Sequence, residues 1–190
     1  MCNTDMATND IRVVIGSWGS YNACNERALG SSWLTFNDYE DWEEIAEELQ
    51  KQGFILDGID EELFIQDIEN FPANGCNWDF VNPATLFDLL KRSGILDDGS
   101  KYDLAEAYCD VEGYRAWEQL VEQYDDRWDD DIYIYEGMDW EDLGYYFIHQ
   151  VSCIQIPEEL ENYIDYRSYG EQFQYDGFHE FSGGIIENRR

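Results

Sequence analysis

Acidic residues outnumber basic ones 43 to 11, and the resulting charge of −32 at pH 7 sets the terms on which this 190-residue chain can fold. Like charges resist compaction, and an excess of this size ordinarily accompanies disorder. Here 44% of the residues are hydrophobic and 16% aromatic, with only three prolines. Low-complexity tracts are absent from the sequence. Apolar burial contributes about 25 cal/mol per Å², so the chain has the means to build cores under a charged surface. Its length fits one ordinary domain or two to three small lobes. A repulsive cost accepted along the whole chain points to a use for the charge.

That charge narrows the partners. Nucleic acid and anionic membranes are repelled, whereas a basic protein surface or cations are attracted. The sequence has no apolar run long enough to span a bilayer. The opening MCNTDMATND lacks the basic and apolar segments of a signal peptide. Cys2, Cys24, Cys76, Cys109 and Cys153 are odd in number, scattered and without a CxxC pair, which reads as reduced thiols in a cytoplasm.

Along the chain, residues 1–10 are polar and expected to fray. IRVVIG (11–16) is a β-branched strand, the turn-rich GSWGSYNACNERALGSS a loop, and WLTF (33–36) a second strand. Asn37 followed by Glu40 reads as a capping box for a helix carrying Trp42, Ile45, Ala46 and Leu49 and ending at Gly53. ELFIQDIE (62–69) is a third strand. Asn82 and Pro83 suit the start of a helix closed by Gly94, and further helices are expected around 102–110 and 113–124. DDRWDDD reads as a surface junction before the strand IYIY (132–135). A helix starts near Asp139, a short one follows Pro157, and FHEF and GIIE supply one or two terminal strands. The expected fold class is α+β, with three small lobes in a row forming an elongated, acidic chain. They comprise an α+β lobe over 11–70, a mostly helical lobe over 71–125 and an α+β lobe over 126–190.

The acids are grouped rather than scattered. Asp38, Glu40, Asp41, Glu43, Glu44, Glu47 and Glu48 crowd the first long helix, with Lys51 the only base between residues 37 and 70. Asp60, Glu61 and Glu62 follow. Asp125, Asp126, Asp129, Asp130 and Asp131 surround a single Arg127, and Asp139, Glu141 and Asp142 open the next helix. Glu158, Glu159, Glu161 and Asp165 complete the series. Each like-charge i,i+4 pair, such as Glu40/Glu44, costs an isolated helix roughly 0.2–0.5 kcal/mol. A solvated helix face is the ordinary meaning of such a run, but the missing bases recur in every third of the chain. Carboxylates one helical turn apart are separated by about 5.4 Å, and duplex base pairs rise by about 3.4 Å. Helix surfaces can thus present negative charge at roughly duplex density.

Signals for catalysis are weak. With this many carboxylates, no pair is diagnostic of acid–base chemistry without a pocket. His149 and His179 are the only histidines, and His149 with Cys153 offers two metal ligands at helical spacing but not four. DDRWDDDIYIYE lacks the glycine of a calcium loop and carries the bulky Trp128 inside it. Phosphate-binding glycine loops and nucleophile elbows are missing too. The residues imply no catalytic group, no metal and no cofactor.

The segment NYIDYRSYGEQF (162–173) resembles the C-terminal signature of the ArdA antirestriction family. The matching residues are Asn162, Tyr163, Ile164, Asp165, Tyr166, Tyr169 and Gly170. GSYN (19–22), GSSWLTF (30–36), EELFIQDIENFP (61–72), DIYIYEGMDWEDLGYYFIHQ (131–150) and IPEELENYIDY (156–166) resemble other parts of the family pattern, so the likeness covers most of 11–187. Extra residues stand at the N-terminus and around 73–101. The resemblance implies a cytoplasmic bacterial protein, of a kind carried by plasmids, conjugative transposons or phages, that dimerises. It further implies that the dimer imitates bent duplex DNA in the DNA-binding groove of type I restriction-modification enzymes. Dimer contacts are implied near residues 139–153. Charge alone leaves a second reading open, an acidic module that sequesters another basic DNA-binding host protein.

Overall fold

The computed structural model of the protein describes residues 10–78, 81–152 and 154–190; the run 1–9, read above as frayed, lies outside them. The fold is α+β and contains two three-stranded antiparallel sheets. In the first, β1 (Arg12–Ser17) is central, flanked by β2 (Leu34–Thr35) and β3 (Leu63–Glu69). Val13 faces Ile68 and Ile15 faces Ile65, with a bulge between Val14 and Ile15. Five of the six β1 residues are buried, as the unbroken β-branched run requires.

Two local expectations are corrected here. The stretch read as a loop contains a short helix, α1 (Trp18–Ala23). The Ser17 hydroxyl caps it by accepting from Ser20 N, and Trp18 stacks on Phe64 at 4.2 Å. One and a half turns rich in turn-forming residues have no helical period to detect, and the tertiary stack decides the matter. The first long helix, α2 (Trp42–Lys51), is capped by Asp41 rather than Asn37. Asn37 sits in a 3-10 turn over Phe36–Asp38. Its amide oxygen accepts from Ile11 N at 2.9 Å and its amide nitrogen donates to Leu96 O at 2.7 Å. Distant backbone groups claim it before a local helix end can. Asp41 Oδ1 accepts from Glu44 N at 3.1 Å, and Glu44 Oε2 accepts from Glu40 N, the residue before the cap, at 2.9 Å.

The middle of the chain is helical. In α3 (Pro83–Ser93), Asn82 accepts from Ala84 N and Thr85 N, Pro83 opens the first turn, and Gly94 adopts φ +78 at the C-terminal end. α4 (Gly99–Glu112) and α5 (Tyr114–Tyr124) follow. One continuous hydrophobic cluster joins the first sheet, α2 and these three helices, and reaches Ile132 and Ile186 in the second sheet. DDRWDDD is not simply a surface junction. Its aspartates face outward, but Trp128 is fully buried, edge-on to Trp117, and donates from Nε1 to Ser93 O at 2.9 Å. The buried ring pins an acidic loop to the core.

The second sheet runs β4 (Ile132–Glu136), β6 (Gly184–Asn188), β5 (Phe178–Phe181). A smaller cluster of Trp140, Leu143, Phe178 and Ile185 sits against it. α6 (Trp140–Tyr146) starts from a reciprocal box between Asp139 and Asp142, then widens into a π-helical turn over Phe147–Val151. α7 (Glu158–Glu161) is a single turn, and α8 (Tyr166–Gly170) is capped by Asp165. α6 and α8 cross at two glycines. A Cβ on Gly170 would stand 1.8 Å from Trp140 O, and one on Gly144 would stand 2.0 Å from Tyr166 O. Backbone cannot yield as a flexible side chain can, so Gly170→Ala is expected to cost at least the about 1–3 kcal/mol of ordinary overpacking. Thermal melting of the variant measures this, and an unchanged melting temperature would refute the close crossing.

Candidate partner-facing acidic surface

On α2 the face is set by the core. Ile45 and Leu49 are buried, which turns Glu43, Glu44 and Glu47 outward. Asp38, Glu40 and Asp41 precede them, also exposed, while Glu48 is half-buried and lies 3.5 Å from Lys51. Apart from that pair, no ion pair offsets these acids among the described residues. The helix tolerates them because Asp41, Glu43 and Glu44 stand at its N-terminus, where the macrodipole is positive. Glu47 and Glu48 have no such compensation.

Asp60 departs from the expectation for this group. It is 0% exposed and forms no part of an outward array. Its carboxylate accepts from the Ser20 hydroxyl and from Ile55 N at 2.8 Å, and Arg27 Nε lies 3.4 Å away. Burial pushes this carboxyl up, but the hydrogen bonds and the Arg27 charge together outweigh burial and hold it below the usual carboxylate value. The GSYN segment thereby gains a physical reading. Gly19 packs on Ile59 O with no room for a Cβ, and Ser20 reaches Asp60. Glu61 and Glu62, its neighbours, are exposed.

The aspartate cluster after α5 differs from α2. Local sequence supplies only Arg127, which contacts Asp130 at 2.6 Å. Folding brings Arg92 to 2.6 Å from Asp125, Lys101 to 3.4 Å from Asp129 and Arg190 to 3.7 Å from Asp131. Lys101 also donates to the carbonyl of Asp126. Asp125, Asp126, Asp130 and Asp131 are exposed and Asp129 half-buried. This cluster is therefore partly neutralised.

Around α6, Asp139, Glu141 and Asp142 are exposed, with Asp139 Oδ1 accepting from both following backbone nitrogens at 2.8 and 2.9 Å. Glu158 and Glu159 are exposed and Glu161 half-buried. Asp165 is exposed and accepts from Ser168 N at 2.9 Å and Ser168 Oγ at 2.7 Å, bonds that hold its carboxyl below the usual value. The rest of the 162–170 signature is structural or exposed. Tyr166 Oη meets His149 Nε2 at 2.9 Å, Tyr169 packs edge-on to Phe173, and Gly170 makes the helix crossing. Asn162 and Tyr163 are exposed and Ile164 is half-buried. A further acidic face, within the acid-rich span 103–142, runs along α4. Asp103, Glu106 and Asp110 are exposed along α4, and burial of Tyr102, with Glu106 and Asp103 beside it, pushes its hydroxyl up to about 12. Their i, i+3, i+7 spacing was the available signal.

Among the described residues no group of three His, Cys, Asp or Glu side chains is arranged to hold a metal ion, and no helix is long and apolar enough to cross a membrane. Cys153, the partner suggested for His149, lies outside the described residues.

The chain matches the antirestriction protein (ArdA) family over residues 13–187. It belongs to the ArdA antirestriction family. A search of curated proteins gave no match. The family carries an antirestriction function, implies interaction with type I restriction enzymes, and consists of inhibitors rather than enzymes. The matched span takes in both sheets but for Arg12 and Asn188, the Ser20–Asp60 contact and the Gly144–Gly170 crossing, so the likeness extends over nearly all of the scaffold that carries the acidic faces.

Proposed function

We propose that this protein imitates the charge of duplex DNA, occupies the DNA-binding groove of a type I restriction-modification enzyme in the bacterial cytoplasm, and so protects incoming DNA. The observation that carries the reading is the row of exposed carboxylates on α2, set outward by a rigid apolar face and left without bases except at Lys51. Similar outward acids on α4, α6 and α7 extend the charge along the chain. The spans 11–70, 71–125 and 126–190 act as lobes in a row, and the core running through the first two keeps their acidic faces in fixed relation. Homodimerisation is part of the proposal. Tyr145 and Val151 are exposed on and after α6, which suits a self-complementary contact near 139–153.

A competition assay tests the reading. Purified type I enzyme is bound to its labelled recognition duplex and titrated with this protein at several salt concentrations. The expected result is mutually exclusive binding, with inhibition weakening steeply as salt rises because ionic contacts dominate. A ternary complex with DNA, or inhibition indifferent to salt, would overturn it. Tighter binding to a nucleoid protein than to the enzyme would support a general sink for basic DNA-binding proteins instead.

A further inference from the structure

The first lobe exposes apolar surface that no duplex possesses. Ile55 is 51% exposed, Ile59 42% and Tyr21 54%. The loop that carries the two isoleucines is folded back on itself. Gly58 N and Asp60 N both donate to Ile55 O at 3.0 Å, and the buried Asp60 carboxylate accepts from Ile55 N. Closing the turn from inside leaves the two aliphatic side chains nowhere to point but outward. Ile59 is steadied against Gly19, and Tyr21 is braced edge-on by Trp18. A shallow depression of about 570 Å³, lined by Gln50, Phe54, Ile55, Leu56 and Asp57, opens beside this loop at the C-terminal end of α2. Asp57, Glu61 and Glu62 stand exposed around it. An apolar patch with a charged rim is the arrangement of a protein-binding hot spot, where a desolvated centre supplies affinity and the rim sets orientation.

We propose that the exposed Ile55 and Ile59 of this loop form an apolar docking point, beside a largely polar depression, for a side chain of a protein partner whose surrounding surface is basic. The rim selects the occupant by charge complementarity. In a two-fold contact at this loop a second copy would set its own Asp57, Glu61 and Glu62 against the same exposed carboxylates, and an anionic bilayer would be repelled likewise. A surface built to neutralise phosphates, with an apolar residue among its lysines and arginines, meets both features at once. The inference rests on the reading of this protein as a ligand of a basic DNA-binding enzyme, and adds a contact that DNA cannot offer. Carboxylate contacts weaken with salt, whereas apolar burial does not, so the docking point contributes affinity that persists when the charges are screened.

The test uses the full-length protein and a purified type I methyltransferase complex. The dissociation constant is measured at three salt concentrations for the wild type, for Ile55→Ser/Ile59→Ser, for Tyr21→Ser on the neighbouring helix, and for the acidic control Glu43→Gln/Glu47→Gln. Melting curves establish that each variant is folded. The two apolar variants are expected to bind roughly tenfold more weakly at every salt concentration, as one to two truncated hot-spot side chains do, with the slope of log Kd against log salt unchanged. The acidic control is expected to lower that slope. Apolar variants that bind as the wild type does, or that change the slope as the acidic control does, would overturn the docking point alone. Loss of self-association in Ile55→Ser/Ile59→Ser would assign the patch to a second copy and overturn it as well. A wild type that fails to bind the enzyme would overturn both this inference and the function on which it rests.

Discussion

Trp128→Ala will be among the most destabilising single substitutions in this protein, at about 3–5 kcal/mol, the range for truncating a buried aromatic side chain. Trp128 is 0% exposed, packs at 5.9 Å against the equally buried Trp117, and satisfies Ser93 O through its indole nitrogen. Its removal leaves a cavity and an unpartnered carbonyl. It also releases the tether on a loop whose flanking residues are all charged, Asp125 to Arg127 on one side and Asp129 to Asp131 on the other. Those aspartates repel one another, and the buried ring works with the ion pairs from Arg92, Lys101, Arg127 and Arg190 to hold the loop in place. Trp128→Phe keeps most of the apolar contact and loses the hydrogen bond, so it should cost clearly less. Urea unfolding followed by far-ultraviolet circular dichroism measures both. A loss below about 1 kcal/mol for the alanine variant, the level of an ordinary surface change, would mean that the loop does not depend on this anchor.

The same residue shows which features of the fold can be read in the sequence. Asn82, Pro83 and Gly94 mark the two ends of α3, and Asp139 starts α6, because a cap needs only partners within four residues. The outward turn of Glu43, Glu44 and Glu47 follows from the spacing of Ile45 and Leu49. Trp128 stands among six charged residues, and its partner Ser93 is 35 positions away, so no local pattern marks it as core. Asn37 fails as a cap for the same reason, being held by groups 26 and 59 positions distant. The bases that temper the aspartate cluster arrive from α3, the start of α4 and the C-terminus. Acids were legible as groups within a helix, whereas their neutralisation, and the burial of Asp60, depend on pairings only the tertiary fold creates.

Asp60 carries the second large effect, and it is read in the pH dependence of stability. Its carboxylate has no exposure, yet the Ser20 hydroxyl, Ile55 N–H and Arg27 keep it charged, with burial overcome and its pKa below the ordinary 3.8. A group whose folded pKa is depressed binds fewer protons in the folded chain than in the unfolded one. Its stabilisation is complete above the unfolded value and is lost as pH falls through the folded value, here below about pH 4. Stability should therefore fall as pH drops below about 4. The exposed acids act through the net charge of −32, whose repulsion is greater in the compact state. Added salt at neutral pH should raise stability by screening it. Asp60→Asn is expected to lower the curve above about pH 4 by about 3 kcal/mol, because Arg27, largely buried, loses its counter-charge. It should also flatten the acid limb, which no longer has this proton to take up. Melting temperatures of wild type and variant from pH 3 to pH 8, in low and moderate salt, separate the two contributions. Acid limbs of equal steepness would remove Asp60 as the titrating group. A wild type whose melting temperature at neutral pH is indifferent to salt would mean that the outward acids are individually satisfied, and the picture of an unpaired phosphate-like array would fail with it.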